Sequence, residues 1–289
     1  MALDYRRLKN WPFADVVQTY TEKDTMLYAL GVGLGADPMD PAQLRFVYEE
    51  NLLALPTMAA VLGYPGFWLK DPAAGVDWVR LVHAEQRLTI HHPLPAAGTV
   101  VGRTRVTAVT DKGAGKGALI FSERVLSDRA GGRKLATLSQ ASYCRGDGGY
   151  SAGGQPSDPA PTARPAAPDS PPDAVVDLAT RPETALIYRL SADPNPLHAD
   201  PAVARRAGFP RPILHGLATY GVAAHAVLKT CCGYDPSRLR EFDVRFSAPM
   251  YPGETLRTEI WRCGAGIRFR ARAVERDVVV LSHGHARVA

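Results

Sequence analysis

Apolar residues in the second half of the chain recur first with a helical spacing and then with the two-residue spacing of strands. Residues Gly216–Cys232 are mostly apolar and contain few helix breakers, which predicts a buried helix. Alternating apolar and polar residues predict strands at about 184–190, 239–247, 255–263, 267–275 and 278–288. The pattern therefore indicates a sheet whose apolar face is covered by one long helix.

The first half repeats this order with a shorter helix. Residues 55–62 form a short apolar helical run, which Gly63 and Pro65 end. Four strands are predicted after it, at about 86–92, 99–110, 117–127 and 134–145. The chain is thus predicted to be an internal repeat of two units, each made of a helix followed by an antiparallel sheet.

A change of composition separates the two units. Between 146 and 182 the sequence is rich in Gly, Pro, Ala, Ser and Asp, a composition that buries little surface and orders poorly. We therefore predict an N-terminal domain at 1–145, a linker at 146–182 and a C-terminal domain at 183–289.

Bulk properties exclude several classes of protein. The 289 residues suffice for two modest domains, and the net charge of +5 comes from scattered basic residues, without the basic and aromatic stripe of a nucleic-acid groove. No apolar run is long enough to cross a membrane, and the start of the chain lacks the apolar core of a secretion signal. Four cysteines without paired metal spacing are typical of reduced thiols, so we expect a soluble, cytoplasmic protein with no nucleic-acid or membrane partner.

Candidate chemistry is concentrated between residues 188 and 201. This stretch places Asp193, Asn195 and His198 within six residues, with Pro194 and Pro196 between them. Proline fixes its own φ and biases the preceding residue towards extended backbone, so the segment presents its side chains from a rigid turn. A carboxylate and an imidazole held in this way can move protons to and from a substrate. Either side chain alone would more often have a structural role, as a turn cap or a packed histidine.

This turn resembles the signature of the MaoC-like, or type 2, enoyl-CoA hydratases, whose Asp-x-Asn-Pro-Leu-His core carries the catalytic pair. Further blocks resemble the same family, in its two-domain version, along nearly the whole chain: 28–33, 55–57, 83–86, 111–113, 212–217 and 245–256. The resemblance implies an α+β fold of two hot-dog units side by side. It also implies that the shortened first helix leaves a tunnel for a long or bulky acyl chain.

Site roles follow from this resemblance. Asp193 and His198 are expected to bind one water between them, and the sequence leaves open which is the base and which the acid. Asn195 is expected to orient a partner, and the N–H of Gly216, at a helix N-terminus, to hold the thioester oxygen. The matching positions imply acyl-CoA contacts at His83, Ala84, Lys112, Pro194, Pro196, Leu197 and Phe246. Coenzyme A is then part of the substrate, no cofactor or metal is expected, and we expect a homodimer.

The expected reaction is the reversible hydration of trans-2-enoyl-CoA to (3R)-3-hydroxyacyl-CoA. Three alternatives remain open: a dehydratase for a branched or steroid-derived acyl-CoA, a non-catalytic acyl-CoA-binding subunit, and a thioesterase. Two residues differ from the family pattern, because Ala192 and Ala84 stand where glycine is common. A methyl group at either position could narrow the approach of the acyl chain.

Overall fold

The strands of the computed structural model, which describes residues 3–191, 193–264 and 266–289, form one 10-stranded antiparallel sheet. Its order is β1-β3-β4-β5-β2-β7-β10-β9-β8-β6. The strands are β1 (Val16–Tyr20), β2 (Leu81–Ile90), β3 (Gly98–Asp111), β4 (Ala118–Asp128), β5 (Lys134–Cys144), β6 (Ala174–Ala179), β7 (Leu239–Phe246), β8 (Thr255–Cys263), β9 (Gly266–Ala273) and β10 (Val278–Val288).

The helices lie between and beside these strands. They are α1 (Tyr5–Lys9), α2 (Glu22–Gly31), α3 (Pro41–Leu44), α4 (Thr184–Tyr188), α5 (Pro201–Arg206) and α6 (Gly216–Cys232). Short 3-10 helices span Pro56–Ala60, Trp68–Lys70, Pro72–Ala74, Trp78–Arg80, Tyr150–Gly153, Pro196–His198, Pro236–Arg238 and Val274–Arg276. In the part of the chain that the structure describes, no helix has the length and apolar character needed to cross a membrane.

The two halves of the sheet have the same strand order. Read from its outer edge, the first half runs β1-β3-β4-β5-β2 and the second runs β6-β8-β9-β10-β7. The halves join where β2 pairs with β7, for example at Gln86 opposite Val244. The predicted internal repeat of two hot-dog units is therefore confirmed.

The central helices differ in length as the sequence predicted. Helix α6 has 17 residues, most of them buried against the second half of the sheet. In the first half only the five-residue 3-10 helix Pro56–Ala60 takes this place, and all of its residues are buried. The chain then passes close over β3, where a Cβ atom on Gly102 would lie 2.1 Å from the Gly63 carbonyl oxygen. Only glycine allows this approach, which holds the end of the short helix against the sheet.

The strand predicted at 184–190 is wrong, because residues Thr184–Tyr188 form helix α4. The buried residues of this segment are Thr184, Ala185 and Tyr188, a spacing that fits a helix and not a strand. The Thr184 hydroxyl also accepts a hydrogen bond from the backbone N–H of Arg181, and this turn starts the helix.

The expectation of poor order between 146 and 182 is also wrong for much of that segment. Its last part forms β6, the edge strand of the second half, which pairs with β8. Upstream of β6, side chains and carbonyls anchor the segment to the sheet: Asp158 accepts from the backbone N–H of Val109, Arg164 binds Asp243, and the Ser170 carbonyl accepts from the indole of Trp261. Composition did not reveal these anchors because they depend on single residues.

Candidate active site

Two consecutive side-chain turns shape the segment that carries the candidate chemistry. Asp193 Oδ1 accepts a hydrogen bond of 3.0 Å from the Asn195 backbone N–H, and Asn195 Oδ1 accepts one of 3.0 Å from the Leu197 N–H. Asn195 thereby caps the 3-10 helix that ends at His198. Its amide oxygen stabilises the turn, and Asp193 Oδ2 is the carboxylate oxygen directed towards His198.

His198 has one defined tautomer. Its Nδ1 donates to the carbonyl oxygen of Ile213 at 2.9 Å, so in the neutral ring Nε2 carries the lone pair. That Nε2 lies 3.9 Å from Asp193 Oδ2, which is too long for a direct hydrogen bond and suits a shared water. The His198 side chain is 9% exposed, whereas the Asp193 side chain is 48% exposed.

Electrostatics keep this imidazole neutral. Burial lowers the pKa of His198 below 6.5, and the hydrogen bond to Ile213 and the Asp193 carboxylate oppose that shift. At neutral pH the ring can therefore accept a proton at Nε2. Such an acceptor next to a carboxylate is a candidate general base.

A second histidine contacts both His198 and the backbone of Asp193. His215 stacks on His198 with ring centroids 3.6 Å apart, and its Nε2 donates to the backbone carbonyl of Asp193 at 3.1 Å. Burial lowers the pKa of His215 to about 3, so it is neutral too. Sequence reasoning gave His215 no role in the site, although it directly precedes Gly216 in a block that resembles the family. Its contacts fix both the ring of His198 and the backbone of Asp193.

The arrangement of Asp193, His198 and His215 suits hydrogen bonding better than metal binding. One potential ligand atom from each lies within 4.8 Å of the others. However, the two rings are stacked with an interplanar angle of 26°, so their in-plane lone pairs do not converge on one point. One nitrogen of each ring already donates to a backbone carbonyl.

The N-terminus of α6 lies beside this pair. Among the described residues no side chain caps the helix, so its first N–H groups are available to a ligand. A Cβ atom on Gly216 would lie 3.2 Å from the ring of Phe246, which in turn lies 4.7 Å from the ring of His83 between centroids. The structure thus brings Gly216, Phe246 and His83 together, from α6, β7 and β2.

The remaining predicted contact residues are distributed around this centre. Ala84 lies at a shift of register in β2, and Lys112 is exposed in the turn between β3 and β4, at the end of the sheet where β2 begins. Pro194 and Pro196 are exposed on the turn, and Leu197 is partly buried. Ala192, the first of the two departures from the family pattern, lies outside the described residues.

Comparisons with known proteins agree on one family. The model of the MFE-2 hydratase 2 N-terminal domain matches residues 18–146, and the model of the MaoC like domain matches 164–283. The chain is 37% identical to a probable enoyl-CoA hydratase 2 from Dictyostelium discoideum, over 99% of this chain and 97% of that protein. It is 41% identical to 3-hydroxyacyl-thioester dehydratase Y from Mycobacterium tuberculosis, over 92% and 88%. The crystal structure of a MaoC-like dehydratase from Phytophthora capsici superposes with a TM-score of 0.85 at 33% identity, covering 98% of both chains.

Proposed function

Because this chain belongs to the MaoC-like enoyl-CoA hydratase 2 family, we propose that it hydrates trans-2-enoyl-CoA to (3R)-3-hydroxyacyl-CoA and catalyses the reverse dehydration. The observation that carries this proposal is the pairing of Asp193 with His198 Nε2 across 3.9 Å, beside an uncapped helix N-terminus. The family membership indicates the reaction, and the site contains a carboxylate, an imidazole and a free helix N-terminus that suit it.

In the proposed mechanism one water lies between Asp193 Oδ2 and His198 Nε2. Neutral His198 takes a proton from this water at Nε2 while the water oxygen forms a bond to C3 of the substrate. The electron pair of the C2=C3 bond moves towards the thioester, and C2 then takes a proton from the Asp193 and His198 pair. The sum is the addition of one water, and the pair returns to its starting protonation.

Negative charge that develops on the thioester oxygen needs a donor. We assign this role to the N–H of Gly216, because it lies at the positive end of α6 and next to the catalytic pair. Phe246 and His83 would then hold the thioester against this donor. His83 donates Nε2–H to the Glu85 carbonyl, and burial lowers its pKa to about 4, so it adds no charge.

No step of this mechanism requires a metal or a cofactor, and coenzyme A enters only as part of the substrate. All four cysteines are free thiols in the structure, as a reducing compartment such as the cytoplasm would favour. The homodimer that we expect stays a prediction, which light scattering after size exclusion can check.

The test is the absorbance of the conjugated enoyl thioester. Purified protein should hydrate crotonyl-CoA, with chiral analysis giving the (3R) product. Asp193→Asn and His198→Gln should each lower the rate at least ~10²-fold, as expected for loss of a positioned acid or base. Circular dichroism must show that both variants are folded. Release of free CoA without hydration would instead identify a thioesterase, and no turnover of any enoyl-CoA would leave only the binding role.

A further inference from the structure

A polar row crosses the apolar face of the first half of the sheet. Gln86 on β2 lies opposite Gln140 on β5, which lies opposite Ser122 on β4. Two residues further along β4 is Arg124, opposite Thr104 on β3. Together with Tyr64, Pro65, Trp68 and Leu138 these side chains line one pocket. Apolar core lies on both sides of the row, under the 3-10 helix Pro56–Ala60 and under α1.

Arg124 is a buried cation without a carboxylate partner in the described part of the chain. It is 7% exposed, and its hydrogen bonds leave from Nη2 alone, to the carbonyl oxygens of Ala59 and Ala60 at 3.4 and 2.6 Å. Its Nε, like the hydroxyl of Thr104, is buried with no hydrogen-bond partner among the described residues. Burial lowers the pKa of Arg124 to about 10, so the guanidinium stays charged at neutral pH.

The bonds to Ala59 and Ala60 alone would make Arg124 a cap for the short 3-10 helix. A cap does not need a charge in the interior, however, because water or a neutral donor can satisfy helix-end carbonyls. Burying an unpaired charge is strongly unfavourable. The free edge of the guanidinium therefore points to an anion that is not part of the protein.

This pocket lies on the face of the sheet that also carries Phe246. The ring of Tyr64 lies 5.3 Å from the Arg124 guanidinium carbon, and the Asp193 carboxylate adds to the rise in the pKa of Tyr64 that burial causes. Tyr64 is therefore within electrostatic reach of both. On the sheet, Gln86 pairs with Val244, and Phe246 follows two residues later on the same face, against Gly216.

An acyl chain could follow the row away from the thioester. With its thioester oxygen at Gly216, a substrate would cross from β7 to β4 in three strand spacings, about 14 Å. The chain would pass Tyr64, which lines the same pocket as Arg124. Its far end would then meet Arg124.

We propose that Arg124 binds a carboxylate at the far end of the acyl chain, and that the substrates are medium-length enoyl-CoA thioesters of dicarboxylic acids. This inference rests on the proposed hydratase function. The terminal carboxylate bonds the free edge of Arg124, and Thr104 and Ser122 supply hydroxyl donors beside it. Gln86 and Gln140 line the path of the chain.

The wild-type protein provides the first test. We compare kcat/KM for trans-2-decenedioyl-CoA with that for trans-2-decenoyl-CoA, and repeat the comparison with the octene and dodecene pairs. At the best length the terminal carboxylate should raise kcat/KM about 10-fold or more, the value expected of a hydrogen bond to a charged group. Equal rates at every length, or an equal preference for the analogue with a terminal hydroxyl, would overturn the assignment to a carboxylate.

Substitutions then test whether Arg124 causes the preference for a terminal carboxylate. Arg124→Met should reduce the ratio of the two kcat/KM values to about one, and Arg124→Lys should retain part of it. The matched control is Arg105→Met, because Arg105 lies on the adjacent strand with its side chain 73% exposed. In this variant the ratio of the two kcat/KM values should equal that of the parent. An unchanged ratio in folded Arg124→Met would refute the role of Arg124. Hydration of crotonyl-CoA by the wild type tests the proposed function separately, since this substrate has no distal group.

Discussion

The role that we propose for His198 as the base predicts how the reaction should depend on pH. Burial lowers its pKa below 6.5, and only the neutral ring accepts a proton at Nε2. The value of kcat/KM should therefore decrease as pH falls, with the midpoint of the decrease below pH 6.5. In Asp193→Asn the acid limb of the residual activity should remain and lie at a still lower pH, because the carboxylate that raises the pKa of His198 is gone. A midpoint above 6.5 would contradict neutral His198 as the base, and an acid limb that disappears in the variant would assign it to Asp193.

At the scale of single residues the sequence predicted the turn better than its surroundings. Asp193, Asn195 and His198 are neighbours along the chain, so their proximity could be read directly. The stacking of His215 on His198 depends on how α6 meets the turn, and no local pattern encodes it. The burial of Arg124 could not be predicted either, because a single arginine in an alternating strand is normally exposed to solvent. Only the structure shows which face of the sheet it lies on.

Among the elements, the segment between the two halves yields a second prediction. Arg164 Nε donates to Asp243 Oδ2 at 2.7 Å, and the Asp243 side chain, 4% exposed, also accepts from the Leu88 N–H across the β2 and β7 junction. Arg164→Met should lower the free energy of unfolding by about 2 kcal/mol, less than for a fully buried pair because Arg164 is partly exposed. The control is Arg257→Met, whose pair with Asp177 is exposed to solvent and should contribute little to stability. Urea unfolding that gave equal losses for both variants would show that Arg164 is no anchor.

Elements with a strong period were predicted well, and those set by tertiary contacts were not. The eight long strands and α6 agree with the alternation and the helical run within five residues at each end, the largest difference being the start of β2 at Leu81. Strand β6 was missed because it lies in a segment whose composition is typical of a linker, and the edge of a sheet needs only one partner. Segment 184–190 was misread because seven residues are too few to separate the two periods.

For the whole molecule, buried histidines link stability to pH. Burial lowers the pKa of His83, His215 and His225 to about 4, 3 and 4, from 6.5 in the unfolded chain. Their contribution to stability is therefore complete above 6.5 and is lost as pH falls towards these lowered values, because the unfolded state binds protons that the folded state excludes. Each histidine should remove about 1 kcal/mol per pH unit below 6.5. Carboxylates with lowered pKa values add to this loss only nearer pH 4.

Urea unfolding at pH 7 and at pH 5.5 should thus differ by about 3 kcal/mol. His225 offers the cleanest variant, because it lies on α6 away from the turn of Asp193 and His198 and bonds the hydroxyl of Tyr234. His225→Gln keeps a hydrogen-bonding group but does not titrate, so it should reduce the acid loss by about 1 kcal/mol, whatever its stability at pH 7. His198, the base that we propose, is left in place, so the pH profile of kcat/KM should keep its midpoint in this variant. A free energy of unfolding that stays constant from pH 7 to pH 5.5, or an acid loss in His225→Gln as large as in the parent, would show that these imidazoles take up protons without unfolding.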